Sequence, residues 1–175
     1  MMIENKVAKS GLITLDLEMF REKRAVHSFD LKEFLYMELI LREKDFRDAL
    51  QNLDWSRFSG SILAVHCSTD AIIAHWAYML VCSHAAEVGA IVAYGSPEQV
   101  KLASMQQNVR IHNWQQYAGK KVLLKGCSHE ALDPSVYTLA TQCLLPFADR
   151  LMYGEACSFV PVYRKPKVKQ AAEAE

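Results

Sequence analysis

The sequence predicts an α/β protein: a single domain with a mainly parallel sheet flanked by helices, to which an N-terminal strand and a helical segment are added. Three observations predict it. The 175 residues are 51% apolar and 23% charged, which suits one globular domain with a real core. Short apolar runs alternate with helical patterns from Ser61 onward, as in a parallel sheet with crossover helices on both faces. Two of those runs, Ser61-Ile62-Leu63-Ala64-Val65-His66 and Lys121-Val122-Leu123-Leu124-Lys125-Gly126, each lead into a Cys-Ser pair. Loops that leave the carboxyl ends of parallel strands gather at one edge, where ligands bind. Cys67 and Cys127 are thus placed alike, at that edge.

Taken in order, Gly11 to Leu17 reads as a half-buried edge strand or ribbon. Asp30 with Glu33 forms a capping box, and Leu31, Phe34 and Leu35 open an apolar helical face. Phe46, Ala49, Leu50 and Leu53 repeat at helical spacing and lead to Trp55, and Ser59-Gly60 ends that unit. After the strand ending at His66, Asp70 to Ala86 is apolar almost all round and predicts a helix buried on more than one side. Val88 to Tyr94 is the next strand. Gly95-Ser96-Pro97-Glu98-Gln99 combines a turn, an N-cap, proline at the first helical position and a capping-box glutamine. That helix is expected to end near Gln107, with Val109 to His112 as a short strand and Tyr117-Ala118-Gly119 as a turn. Asp133-Pro134 opens the last helix, whose face carries Val136, Tyr137, Ala140, Cys143 and Leu144, and Pro146 is expected to kink or end it. The domain spans 1–164, and the polar tail 165–175 is expected to be disordered. No internal repeat stands out. In a doubly wound strand order the runs ending at His66 and Gly126 would be neighbours, so Cys67 and Cys127 would approach each other.

Composition excludes several roles. Twenty basic and twenty acidic side chains cancel, which argues against a nucleic-acid partner. No apolar run approaches the roughly 20 residues of a membrane span, and the first residues do not read as a leader. Five cysteines without a C-x-x-C pair suit free thiols in a reducing compartment, hence a cytoplasmic location. The chain lacks G-x-G-x-x-G, a Walker loop, G-x-S-x-G, H-E-x-x-H and a Cys-x5-Arg loop, so it has no nucleotide, hydrolase or phosphatase signature.

The thiols carry most of the remaining chemistry. Cys82 and Cys143 lie on apolar helical stretches and read as core packing. Cys67, Cys127 and Cys157 fall where elements end. Together they would suit a soft metal, zinc or an iron-sulfur cluster, with Asp70, His129 and Glu155 as candidate further ligands. Alternatively Cys67, activated at a helix N-terminus, is a nucleophile with His66 or His129 as its base. In a third reading all five thiols are structural and the protein is a metal-free interaction module, for instance a homodimer. His75 and His84, nine residues apart, face opposite sides of their helix. Asp70 reads first as a cap for that helix.

The segments Phe29-Asp30-Leu31-Lys32-Glu33-Phe34-Leu35, Leu41-Arg42-Glu43-Lys44-Asp45-Phe46-Arg47, Cys67-Ser68-Thr69-Asp70-Ala71-Ile72, Trp76-Ala77-Tyr78-Met79-Leu80, Lys125-Gly126-Cys127 and Gly154-Glu155-Ala156-Cys157-Ser158-Phe159-Val160-Pro161 resemble an uncharacterised bacterial family, Domain of Unknown Function 2480. The resemblance covers nearly the whole chain except the tail and brings no established activity. It implies a link to iron-sulfur cluster assembly proteins as partners. The expectation is therefore a cytoplasmic accessory protein of metal or iron-sulfur metabolism with a cysteine-lined site.

Overall fold

The computed structural model describes residues 11–126, 131–155 and 157–166. The chain is a mixed α/β domain with mainly parallel pairing, as the sequence predicts, and its contacts group into two compact units. The continuous unit is Glu22–Ser104; the discontinuous unit is Met1–Arg21 with Met105–Glu175. The parallel strands are accordingly shared between two sheets. Among the described residues no helix is long and apolar enough to cross a membrane.

In the continuous unit, β2 (Val26–Asp30), β5 (Ile62–His66) and β6 (Ile91–Tyr94) form a parallel sheet in the order β2-β5-β6. The central strand is buried from Ile62 to Val65 because helices cover both of its faces. Leu63 and Val65 pack with Phe46 and Leu50 of α1 (Glu43–Asn52) and Ala77, Val81 and Ala85 of α2 (His75–Glu87). Ile62 and Ala64 face the other way, onto Val100 of α3 (Pro97–Ile111). Alternation at period two makes this division. A short antiparallel ribbon, β3 (Leu35–Tyr36) and β4 (Ile40–Leu41), precedes α1.

In the discontinuous unit, β1 (Leu12–Leu15), β7 (Lys121–Lys125), β8 (Arg150–Glu155) and β9 (Ser158–Arg164) form a sheet in that order. The first three are parallel, and β9 folds back antiparallel on β8. α4 (Pro134–Leu144) crosses from β7 to β8 and buries Val136, Ala140 and Leu144. β1 is an edge strand, as predicted. The strands that end at His66 and at Lys125 lie in different sheets, so the doubly wound order that made them neighbours does not hold.

Local signals fare unevenly. Asp30 caps as predicted, accepting the Lys32 amide at 2.9 Å, but it caps only one 3-10 turn (Leu31–Phe34) ahead of the ribbon. At the α3 start the capping box is complete: Ser96 N–H donates to Gln99 Oε1 at 2.8 Å and Gln99 N–H to Ser96 Oγ at 3.3 Å. That helix runs on to Ile111 where a strand was expected. Val109 continues its buried stripe after Met105 and Val100, and tertiary burial outweighs the β-branched propensity. α2 starts at His75, not Asp70, with Ala74 before it and residues 67–74 as a loop. In that loop Ile73 packs against the core. Only one face of α2 meets the sheet, leaving Met79 and Cys82 exposed, so Cys82 is not core packing and α2 is not buried on more than one side. Cys143 is half-buried, and burial pushes its thiol pKa up. The tail 167–175 lies outside the described residues.

The chain does contain a repeat. Trp55 and Trp114, Gly60 and Gly119, Tyr78 and Tyr137, Leu80 and Leu139, Tyr94 and Tyr153, and Gly95 and Gly154 are all separated by the same 59 positions. The elements keep that spacing: the 3-10 turns Trp55–Phe58 and Trp114–Tyr117, then β5 and β7, α2 and α4, β6 and β8. Ahead of them, Asp30 at the end of β2 and Asp16 just after β1 cap the 3-10 turns Leu31–Phe34 and Leu17–Phe20. Each unit is one copy of the same β-α-β-α-β plan.

Candidate functional site

Two carboxyl edges and one cleft hold the candidate chemistry. At the edge of the continuous unit, Asp30 Oδ1 accepts the amides of Lys32 and, across the strand gap, Ser68 at 3.0 Å. Burial would raise the Asp30 pKa, but these hydrogen bonds and nearby His66 outweigh it and hold the carboxyl below its ordinary value. His66 Nε2 and Ser28 Oγ are hydrogen-bonded at 2.9 Å. Cys67 packs on the opposite face with Leu63 and Val65, and its Sγ is 3.2 Å from Thr69 Oγ1. His66 is engaged by Ser28 while Cys67 is engaged by Thr69 and the core, so Cys67 and His66 do not form a nucleophile-base pair. Nor does Cys67 sit at a helix N-terminus, since α2 begins only at His75. Asp70 is exposed in the loop and caps no helix. His84 stacks on Trp55 with centroids 5.3 Å apart, while His75 is exposed at the helix start.

The discontinuous unit repeats this edge with other residues. Asp16 accepts the Glu18 amide at 3.0 Å, and Lys125, standing where the other copy has His66, donates to Asp16 Oδ2 at 2.8 Å. That bond raises the Lys125 pKa. Gly126 N–H donates to Gly154 O at 3.1 Å, tying the end of β7 to β8. Gly154 has φ +130°, and a Cβ there would lie 2.6 Å from Ser158 O, so only glycine fits. The turn after β8 holds Cys157, exposed, and Glu155 is half-buried at the strand end.

Cys127 and His129 lie outside the described residues. The 59-residue spacing pairs Cys67 with Gly126, not with Cys127, so the two Cys-Ser pairs are one position out of register. Cys67 belongs to one unit, while Glu155 and Cys157 belong to the other. Among the described residues no three His, Cys, Asp or Glu side chains gather as a metal site.

Sequence reasoning missed the cleft. Between α4 and the sheet of the discontinuous unit lies an open cavity of about 680 Å³, walled by Leu124, Leu132, Pro134, Tyr137, Tyr153 and Val162, with Thr138, Thr141 and Gln142 along one side. Tyr137 and Tyr153 meet edge-on, centroids 5.5 Å apart, and the Tyr137 hydroxyl donates to Lys125 O at 3.3 Å. The equivalent pair Tyr78 and Tyr94 also meets edge-on, at 5.6 Å. The spacing of these tyrosines was the signal that the sequence held. No curated protein and no solved structure matches the chain. The family model described as "Protein of unknown function (DUF2480)" matches residues 1–165, and the chain belongs to that family.

Proposed function

We propose that the protein is a binding protein whose ligand is a small molecule with an apolar body, seated in the cleft between α4 and β7, β8 and β9. A volume of about 680 Å³ falls within the roughly 300–1,000 Å³ of small-molecule sites, which are mostly apolar with a few fixed polar groups. The Thr138 hydroxyl already donates to Ser135 O at 2.9 Å, which leaves its oxygen to accept from a ligand, and Gln142 offers both a donor and an acceptor. Among the described residues no charged side chain lines the cleft.

The observation that carries this reading is the divergence of the two copies at one place. Where α4 has Thr138, Thr141 and Gln142, α2 has Met79, Cys82 and Ser83. Among the described residues only the main sheet of the discontinuous unit gains a fourth strand, β9, whose Val162 completes a wall. The test is titration with anilinonaphthalene sulfonate, an apolar ring system with a solvated charge. Saturable one-to-one binding that is lost in Thr141→Trp, which fills the cleft, and kept in Met79→Lys supports the proposal. Binding that ignores Thr141→Trp refutes it.

A second reading keeps two of the three thiols expected at the site, Cys127 and Cys157 without Cys67, and draws on one contact. The Gly126 to Gly154 hydrogen bond joins the strands that lead, by chain connectivity, to Cys127 and towards Cys157. In this reading Cys127 and Cys157, with His129 or Glu155, hold zinc or an iron-sulfur cluster, and iron-sulfur assembly proteins are the partners. Metal content of the protein purified without oxygen, in parallel with Cys127→Ser and Cys157→Ser, tests it: stoichiometric metal lost in both variants is expected, and a metal-free protein contradicts it.

A further inference from the structure

The two copies differ at their last strand. β8 is flanked by β7 on one side and by antiparallel β9 on the other. Its counterpart β6 pairs with β5 on one side and, among the described residues, with no strand on the other. The difference shows in exposure: Tyr153 on β8 is 41% exposed, while the equivalent Tyr94 on β6 is 79% exposed. Ile91 at the start of β6 is 50% exposed as well.

Proteins guard open strand edges with charges or proline because unpaired backbone groups invite another strand. β9 carries Pro161 and Arg164, and β2 carries His27 and Asp30. From Val88 to Ser96 there is neither a charge nor a proline. The Ile91 and Gly95 amides donate inward, to Ser61 O at 2.9 Å and Val65 O at 3.0 Å. By alternation the amides and carbonyls of Val92 and Tyr94 point outward.

We propose that this edge is a homodimer contact, at which β6 of one copy pairs antiparallel with β6 of a second copy. The occupant is argued from the edge itself. Its counterpart in the other unit takes an antiparallel strand, and a two-fold axis normal to the sheet supplies one from an identical chain. With Ala93 on that axis, Val92 stands opposite Tyr94 of the second copy. Their outward amides and carbonyls exchange two hydrogen bonds, and their side chains form an aromatic and β-branched cross-strand pair. An uncharged strand meets its own copy without like-charge repulsion, which a charged edge would not.

Sedimentation equilibrium over a range of concentrations, joined to amide hydrogen exchange, tests the contact. The expected species has twice the 19.8 kDa chain mass, with the Val92 and Tyr94 amides slow to exchange. Val92→Pro removes one outward N–H, and Ile91→Lys adds a charge at an exposed position. Each is expected to give a folded monomer, judged by an unchanged far-ultraviolet circular dichroism spectrum, with a fast Tyr94 amide. A monomer at every concentration overturns the proposal. So does a dimer that persists in both variants, or one in which the Val92 and Tyr94 amides exchange freely.

Discussion

Trp55 and Trp114 occupy the same place in two copies of one plan, each donating its indole N–H to the carbonyl five residues earlier. The Trp55 bond to Leu50 O is 2.8 Å and the Trp114 bond to Val109 O is 2.7 Å. Each bond ties the end of a helix to the 3-10 turn that feeds the central strand of its sheet. Trp114 is buried, whereas Trp55 is partly exposed. Replacing Trp114 by Phe strands a carbonyl and opens space, at a cost of about 1–3 kcal/mol. Trp55→Phe is expected to cost less, and urea unfolding of the two variants checks the order.

The two capping aspartates differ in what they hold. Asp30 joins the 3-10 turn to the Ser68 loop, so Asp30→Ala is expected to destabilise by about 1–2 kcal/mol, as loss of a cap does. The Lys125 to Asp16 pair is partly exposed on both sides, and solvent screens much of it. Lys125→Met should therefore leave the unfolding midpoint nearly unchanged, and a large shift would show that the pair holds more than itself.

Stability between pH 7 and 5 should be governed by His112. Its ring is 5.0 Å from Phe20 and 4.9 Å from Trp114, centroid to centroid, and burial lowers its pKa below the ordinary 6.5. Above that value both folded and unfolded states are neutral there. As the pH falls through it the unfolded chain takes up a proton that the native ring resists, so stability declines. The carboxyls of Asp30 and Glu22 are lowered instead, and their contribution is lost only in the acid range near and below their ordinary values. Thermal melts of His112→Phe are expected to show a flatter profile between pH 7 and 5 than the parent protein.

Two glycines with positive φ should respond unequally to alanine. At Gly119, φ +69°, a Cβ meets nothing within 4 Å, and the cost is the left-handed backbone alone, about 1–2 kcal/mol. At Gly154, φ +130°, the backbone and the Ser158 carbonyl both refuse a side chain. Gly154→Ala is expected to cost more than Gly119→Ala and to loosen the β8-β9 hairpin, visible as faster exchange of its amides.

What was legible in the sequence was local. The Ser96 and Asp133 caps, the apolar core of β5 and the Pro146 stop could be read because neighbours within a few residues determine them. α2 starts later than its apolar pattern implies because Ile73 serves as a core anchor from a loop, which depends on tertiary packing. The strand order is not legible for the same reason: pairing β7 with β1 spans more than a hundred residues and leaves no local mark. The repeat was present but obscured, since the chain interleaves its copies and the Cys-Ser pairs suggested a spacing one residue too long. The cleft needed β9, to which no local pattern assigned an element, and β9 tolerates Pro161 because it is an edge strand.

The most direct test of the binding proposal is methyl NMR of protein labelled at Leu, Val, Ile, Thr and Met, titrated with anilinonaphthalene sulfonate. Shifts confined to the methyls of Leu124, Leu132, Thr138, Thr141 and Val162, saturating together, are the predicted result. Shifts centred instead on Ile72, Met79 and Ile91, or none that saturate, would contradict it.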